Sequence, residues 1–151
     1  MLKYKLSQLN KITKKVLNQL SSKDCIFLFG ELGSGKTTFT RNLIHQLQDK
    51  HKLAKTEILS PTFNILHEYE IESYKIMHYD FYRVESNKDL DQLGFYENLE
   101  KTVTIIEWPQ VIKKNINDRL EVSLFYEKED EHRKIDFKGF GKWKNFKLNE
   151  I

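Results

Sequence analysis

The stretch Gly30-Glu31-Leu32-Gly33-Ser34-Gly35-Lys36-Thr37, followed by Thr38, limits the possible folds of this chain more than any other part of it. It fits the pattern G-x-x-x-x-G-K-[ST], and its flanks fit as well. Ahead of it, Cys25-Ile26-Phe27-Leu28-Phe29 is a continuous apolar run of strand length. Behind it, Phe39, Leu43, Ile44 and Leu47 recur at helical spacing, which predicts a helix from about Lys36 to Gln48. A strand, a glycine-rich loop and a helix N-terminus in that order make an anion socket. The glycines let backbone N–H groups turn inward toward phosphate oxygens. The helix dipole adds positive potential at the same point. Gly33, Ser34, Gly35, Lys36, Thr37 and Thr38 are thus the candidate phosphate-binding residues. Lys36 brings a mobile charge for the outer phosphates, and the Thr37 hydroxyl is a candidate Mg²⁺ ligand.

With 151 residues the chain has room for one domain, spanning 1–151, and not for two. Its balance of 39% hydrophobic and 31% charged residues is that of a soluble globular protein and excludes a disordered one. No apolar run approaches the roughly 20 residues of a membrane helix. The start, Met1-Leu2-Lys3-Tyr4-Lys5, has no apolar signal region. Cys25 is the single cysteine, so no internal disulfide is possible; it reads as a packing residue in a reducing cytoplasm. A net charge of +3 is too small to argue for nucleic acid by itself. The lysines do cluster at both ends of the chain, where solvated faces are the simpler reading. The interleaved Phe140, Trp143 and Phe146 leave room for a weak tRNA contact.

The rest of the chain reads as alternating elements. A short strand at 2–6 leads to a helix capped by Ser7, with Leu9, Ile12, Val16, Leu17 and Leu20 along one side. A polar loop follows the phosphate-binding helix. Two strand-like runs, Thr62–Tyr69 and Tyr74–Tyr82, flank a turn at Glu72-Ser73. A helical segment beginning at Ser86 points Leu90 and Leu93 inward. Val103–Ile106 is a buried strand, and Pro109 opens a short helix with Val111 and Ile112. Alternation over Arg119–Tyr126 and the run Lys134–Phe137 form a closing hairpin around the acidic turn Glu127–Glu131. The expected fold is α/β, a P-loop NTPase-like three-layer sandwich, with a mixed central sheet and helices on both faces.

Phosphate binding alone is not catalysis, which also needs an acid near the metal and a group to place the nucleophile. Glu107 ends the apolar strand Val103–Ile106, where a carboxylate can hold Mg²⁺ directly, hold it through water, or orient an attacking water. Asp80 shares a strand face with His78 and Tyr82, with Arg83 beside it as a partner for the carboxylate or for a phosphate. Ser60-Pro61-Thr62 is either a loop able to sense the outer phosphate or a plain turn into a strand.

In order and spacing, Gly30–Thr38, Ser60-Pro61-Thr62-Phe63, His78-x-Asp80-x-Tyr82-Arg83, Leu93-Gly94 and Glu107-Trp108-Pro109 resemble the TsaE (formerly YjeE) family over about residues 7–126. The resemblance implies an ATPase, slow when alone, that serves the TsaB–TsaD pair in forming threonylcarbamoyladenosine at adenosine 37 of tRNAs reading ANN codons. It implies ATP and Mg²⁺ as cofactors, with Thr37 and Glu107 bracketing the metal. Lys36, Asp80, Glu107 and Thr62 are the implied catalytic residues, and Trp108 stands beside the nucleotide pocket. The transfer chemistry belongs to the partner, and neither a membrane nor DNA is implied.

Three rivals stand beside this reading: a small GTPase, a kinase, and a nucleotide-gated binding module with negligible catalysis, which differs mainly in turnover. A small GTPase needs Asn-Lys-x-Asp, and Asn87-Lys88-Asp89-Leu90 has leucine at the last position. A small-molecule or nucleotide kinase usually closes an arginine-rich lid over the transferred phosphate. The four arginines here, Arg41, Arg83, Arg119 and Arg133, are scattered, although lysines can replace some of those contacts.

Overall fold

The computed structural model describes residues 1–72, 74–126 and 132–148. Ser73 and the acidic turn Glu127–Glu131, where the two hairpin turns are expected, lie outside the described residues.

The apolar run before the glycine loop forms β2, Cys25–Phe29, at the middle of a seven-stranded sheet among the described residues. Its first four residues are buried, the mark of a strand covered on both faces. On one side it pairs in parallel with β5, Val103–Glu107, and on the other in parallel with β6, Arg119–Tyr126. β4, Tyr74–Asp80, continues the parallel set beside β5, and β3, Leu66–Ile71, closes that edge antiparallel. The other edge is antiparallel too, with β7, His132–Gly139, against β6 and β1, Leu2–Lys5, outermost.

Side-chain alternation sorts the core into two layers. Ile26 and Leu28 of β2 join Val103 and Ile105 of β5 beneath α1, Leu9–Leu17, and α2, Lys36–Lys50. Cys25 and Phe27 face the opposite way, toward Tyr79, Leu90 and Phe95, where the short helices α3, Asn87–Gln92, and α4, Phe95–Leu99, cover the sheet. This is the expected α/β layering with helices on both faces. Burial pushes the Cys25 thiol far above its ordinary value, so it packs and does not react. No helix among the described residues is long and apolar enough to cross a membrane.

Several local expectations shift. Ser7 caps nothing: a 3₁₀ turn, Leu6–Gln8, precedes α1, and the Gln8 side chain accepts the Lys5 N–H at 2.8 Å. Ser86 does cap α3, in a reciprocal box with Asp89. Leu93 is at the surface, because α3 ends at Gln92 and Gly94 turns the chain at φ +64°. The strand expected from Thr62 starts only at Leu66. Residues 51–65 form one long loop, held along α2 by Arg41 Nε on the Ile58 carbonyl and by Gln48 Nε2 on Thr56 Oγ1. The terminal aromatics divide: Trp143 and Phe146 are buried in the α1/α2 core layer, which removes them as stacking platforms for bases.

Candidate functional site

Parallel strands bring the ends of β2, β4 and β5 to one edge of the sheet, where ligand sites of open α/β sheets lie. In register, Asp80 at the end of β4 stands opposite Glu107 at the end of β5, and the glycine loop emerges from β2 alongside. A cavity of about 320 Å³ opens there. Gly33, Gly35, Lys36, Thr37 and Thr38 line it from the loop, Ser60 and Thr62 from the long connection, and Asp80, Tyr82, Glu107 and Trp108 from the strand ends.

The loop takes the backbone its glycines permit, with Gly33 at φ +80° and Gly35 at φ +105°. Gly30 is required for a different reason. A Cβ there would meet Ser34 Oγ at 2.4 Å and the Leu124 carbonyl oxygen at 2.5 Å. Ser34 accordingly turns its side chain into the protein, buried and without a hydrogen-bond partner, while its carbonyl faces Arg133 at 3.5 Å. Of the expected loop residues, Ser34 is the one whose side chain does not line the cavity.

Lys36 bends back onto its own loop. Its ammonium donates to the carbonyls of Gly30 at 2.7 Å and Glu31 at 3.0 Å, and it lies 4.0 Å from the centre of the Trp108 ring. Burial lowers its pKa from the ordinary lysine value, against the opposing pull of the Glu107 and Asp80 carboxylates. Trp108 adopts a left-handed backbone, φ +59°, and its ring centre lies 4.9 Å from that of Tyr82, the two rings tilted by 54°. The indole thus roofs the lysine.

Below the loop, Thr37 Oγ1 lies 2.9 and 3.1 Å from the two oxygens of Glu107. Glu107 is buried, and His78 Nε2 stands 2.9 Å from its Oε1. Asp80, also buried, is fully engaged elsewhere. Its Oδ2 accepts Ser60 Oγ at 2.6 Å and Thr62 Oγ1 at 2.9 Å, and its Oδ1 accepts the Tyr82 N–H at 2.9 Å. Ser60–Thr62 is therefore tied to the strand edge, and it is more than a turn into β3. Arg83 does not reach Asp80 or the cavity; its guanidinium lies 4.3 Å over the exposed ring of Phe63.

The donor set suits Mg²⁺ accompanied by a nucleotide. Thr37 and Glu107 are hard oxygen donors, and among the described residues no group of three or more His, Cys, Asp or Glu could hold a metal unaided. Mg²⁺ ordinarily takes one or two protein oxygens and completes its shell with phosphates and water.

Arg133 lines the cavity as well, and nothing in its sequence neighbourhood points there. It arrives through the pairing of β7 with β6, which sets Arg133 opposite Tyr126 and lays its guanidinium 4.8 Å over that ring. The other arginines stay away, Arg41 on the loop backbone and Arg119 on Glu121 and Ile116.

Comparison with known proteins fits this geometry. The family model described as threonylcarbamoyl adenosine biosynthesis protein TsaE matches residues 4–135. The chain belongs to the TsaE family. The TsaE protein of Rickettsia felis, named a tRNA threonylcarbamoyladenosine biosynthesis protein, is 37% identical over 83% of this chain and 70% of its own length. That of Rickettsia conorii is 38% identical over 76% of this chain, which spans 63% of that relative. Among solved structures, YdiB of Bacillus subtilis superposes with a TM-score of 0.66 at 26% identity, covering 93% of this chain and 86% of YdiB. The match does not favour a kinase, and the glycine loop, Asp80 and Glu107 all fall within the matched TsaE span.

Proposed function

We propose that residues 1–151 form a single Mg²⁺-dependent ATPase domain, slow alone, that acts as a nucleotide-dependent switch on a TsaB–TsaD complex. Its task is the formation of threonylcarbamoyladenosine at position 37 of tRNAs reading ANN codons. The observation that carries this reading is the contact of the Thr37 hydroxyl with the Glu107 carboxylate directly beneath the glycine loop.

In this reading Gly33, Gly35, Thr38 and the backbone of Ser34 cradle the phosphates. Lys36 leaves the Gly30 and Glu31 carbonyls to meet the outer phosphates, because a charge-assisted bond to phosphate is stronger than one to a neutral carbonyl. Thr37 keeps its proton on Glu107 and presents oxygen lone pairs to the cation. A bound Mg²⁺ supplies charge neutralisation at the phosphates. Thr62 and Ser60 answer to the outer phosphate, and Asp80 holds them in reach of it. Trp108 flanks the nucleotide, and Arg133 adds a second positive charge at the cavity wall. The transfer chemistry falls to the partners.

The test is phosphate release from ATP, with no acceptor added, by the chain with TsaB and TsaD. Thr37→Ala and Glu107→Ala should each abolish the Mg²⁺-dependent rate while the protein remains folded, as a cooperative melting transition shows. An unchanged rate in either variant, or a requirement for an added phosphate acceptor, overturns the reading.

A further inference from the structure

His78 has no task in that reading, yet its place is specific. It lies on β4 two residues before Asp80, on the same strand face, and is completely buried. Its Nε2 stands 2.9 Å from Glu107 Oε1, while its Nδ1 is buried with no hydrogen-bond partner. A buried, half-satisfied imidazole costs stability that an apolar side chain of similar size would not. The contact with Glu107 is what the residue type offers in return.

Hydrogen-bond accounting gives that contact a direction. A carboxylate only accepts, so Nε2 must carry the proton in this contact and donate it to Oε1. Thr37 has one hydroxyl proton, and its oxygen lies nearer to Oε1, at 2.9 Å, than to Oε2, at 3.1 Å. Thr37 thus reaches both carboxylate oxygens, whereas His78 meets Oε1 alone, so Oε2 is the less engaged of the two.

We propose that His78 is a positioning residue which, by donating to Oε1, fixes the rotation of the Glu107 carboxylate and leaves Oε2 for the cation or its water. The arrangement parallels the outer partners that orient metal ligands elsewhere in proteins. Strand register supplies the geometry: β4 pairs with β5 so that His78 stands opposite Ile105, diagonal to Glu107. The inference rests on the cavity being a Mg²⁺–nucleotide site.

The experiment measures ATP affinity of the full chain by calorimetry, without metal and across a Mg²⁺ titration. Removing such a partner ordinarily weakens metal affinity by about 10- to 100-fold. His78→Ala should raise the Mg²⁺ concentration for half-maximal effect at least about tenfold, leaving metal-free ATP affinity within about twofold. His78→Gln, whose amide N–H can take the place of Nε2–H, should restore most of that loss. Should the alanine variant fail to fold, His78→Met replaces it, matching volume without a donor. A Mg²⁺ curve in the donor-less variant equal to that of the unaltered chain overturns the positioning role, as does a glutamine variant no better than it. So would ¹⁵N NMR of the unaltered chain showing His78 Nε2 without a proton. Absence of any Mg²⁺ effect in the unaltered chain removes the proposed function and this inference together; a Mg²⁺ effect indifferent to His78 removes the inference alone.

Discussion

Lys36 sits between two uses of one charge. In the structure its ammonium satisfies two carbonyls of its own loop and lies under Trp108; in the proposed function it binds phosphate. Lys36→Ala should weaken ATP binding by about 10- to 100-fold, the range for losing a charge-assisted bond. A second consequence follows from its protonation. Burial, the largest influence, lowers the Lys36 pKa below 10.5, and phosphate binding requires the charged form. As pH rises through that lowered value the free protein loses the proton that the complex must hold. Metal-free ATP affinity should therefore fall on the alkaline side, by at most about tenfold per pH unit, earlier than an exposed lysine would give. A guanidinium stays charged throughout, so Lys36→Arg should show no such fall between pH 8 and 10. Calorimetry from pH 8 to 10.5 checks both; an affinity for the unaltered chain that stays flat to pH 10.5 would contradict the assignment of Lys36 to the phosphates.

At the scale of elements, the last part of the long loop, from Ser60 to Ile65, is anchored by a single buried carboxylate. Asp80 accepts from Ser60, Thr62 and the Tyr82 N–H, and its own N–H donates to the Ile65 carbonyl at 2.9 Å. Ile65 holds a left-handed backbone, φ +66°, a strained conformation for a β-branched residue that the surrounding bonds must impose. Asp80→Ala should release the loop. Hydrogen exchange should speed at residues 58–66, and stability should fall by about 2–3 kcal/mol, since two hydroxyls and an N–H lose their acceptor. Unchanged exchange in that segment would mean the loop is held by its contacts with α2 instead. This anchoring role was only partly legible in the sequence. The polar face of His78, Asp80 and Tyr82 was visible from strand alternation, but which groups Asp80 engages depends on how a loop returns from twenty residues away. The strand expected over Thr62–Tyr69 misread the loop for a related reason. Its residues have strand-like composition, yet Pro61 to Asn64 turn so that the Ile65 N–H meets the Pro61 carbonyl at 2.6 Å. Gly94 gives a contrasting case: at φ +64°, with nothing within 4 Å of an added Cβ, Gly94→Ala should cost about 1–2 kcal/mol, seen as a Tm drop of several degrees, with ATP affinity unchanged. Any larger loss would require a contact that the geometry does not contain.

For the whole molecule, the legible and illegible parts divide by sequence distance. The glycine loop, β2, α2 and Glu107 were readable because local pattern dictates each: an apolar run buried on both faces, a helical period, a carboxylate at a strand end. Arg133 was not, because it reaches the cavity only through the pairing of β7 with β6, about a hundred residues after the loop it faces. Trp143 and Phe146, two of the aromatics that left room for a weak tRNA contact, are core residues for the same reason. Beyond β7 the chain turns back through Gly141–Trp143, and Trp143 seals the α1/α2 layer with Phe146 against it at 5.5 Å. Two substitutions separate packing from recognition there. Trp143→Ala should cost about 3–5 kcal/mol by opening a cavity in that layer. Trp143→Phe should cost much less, because the indole Nε1–H is buried with no partner and its removal relieves an unsatisfied donor. Thermal melts rank the two variants. Filter binding of tRNA, run across a salt series on the Phe variant, should match the unaltered chain, since a core ring cannot stack on a base. A Phe variant that melts normally but loses tRNA affinity would instead place Trp143 at an RNA-facing surface.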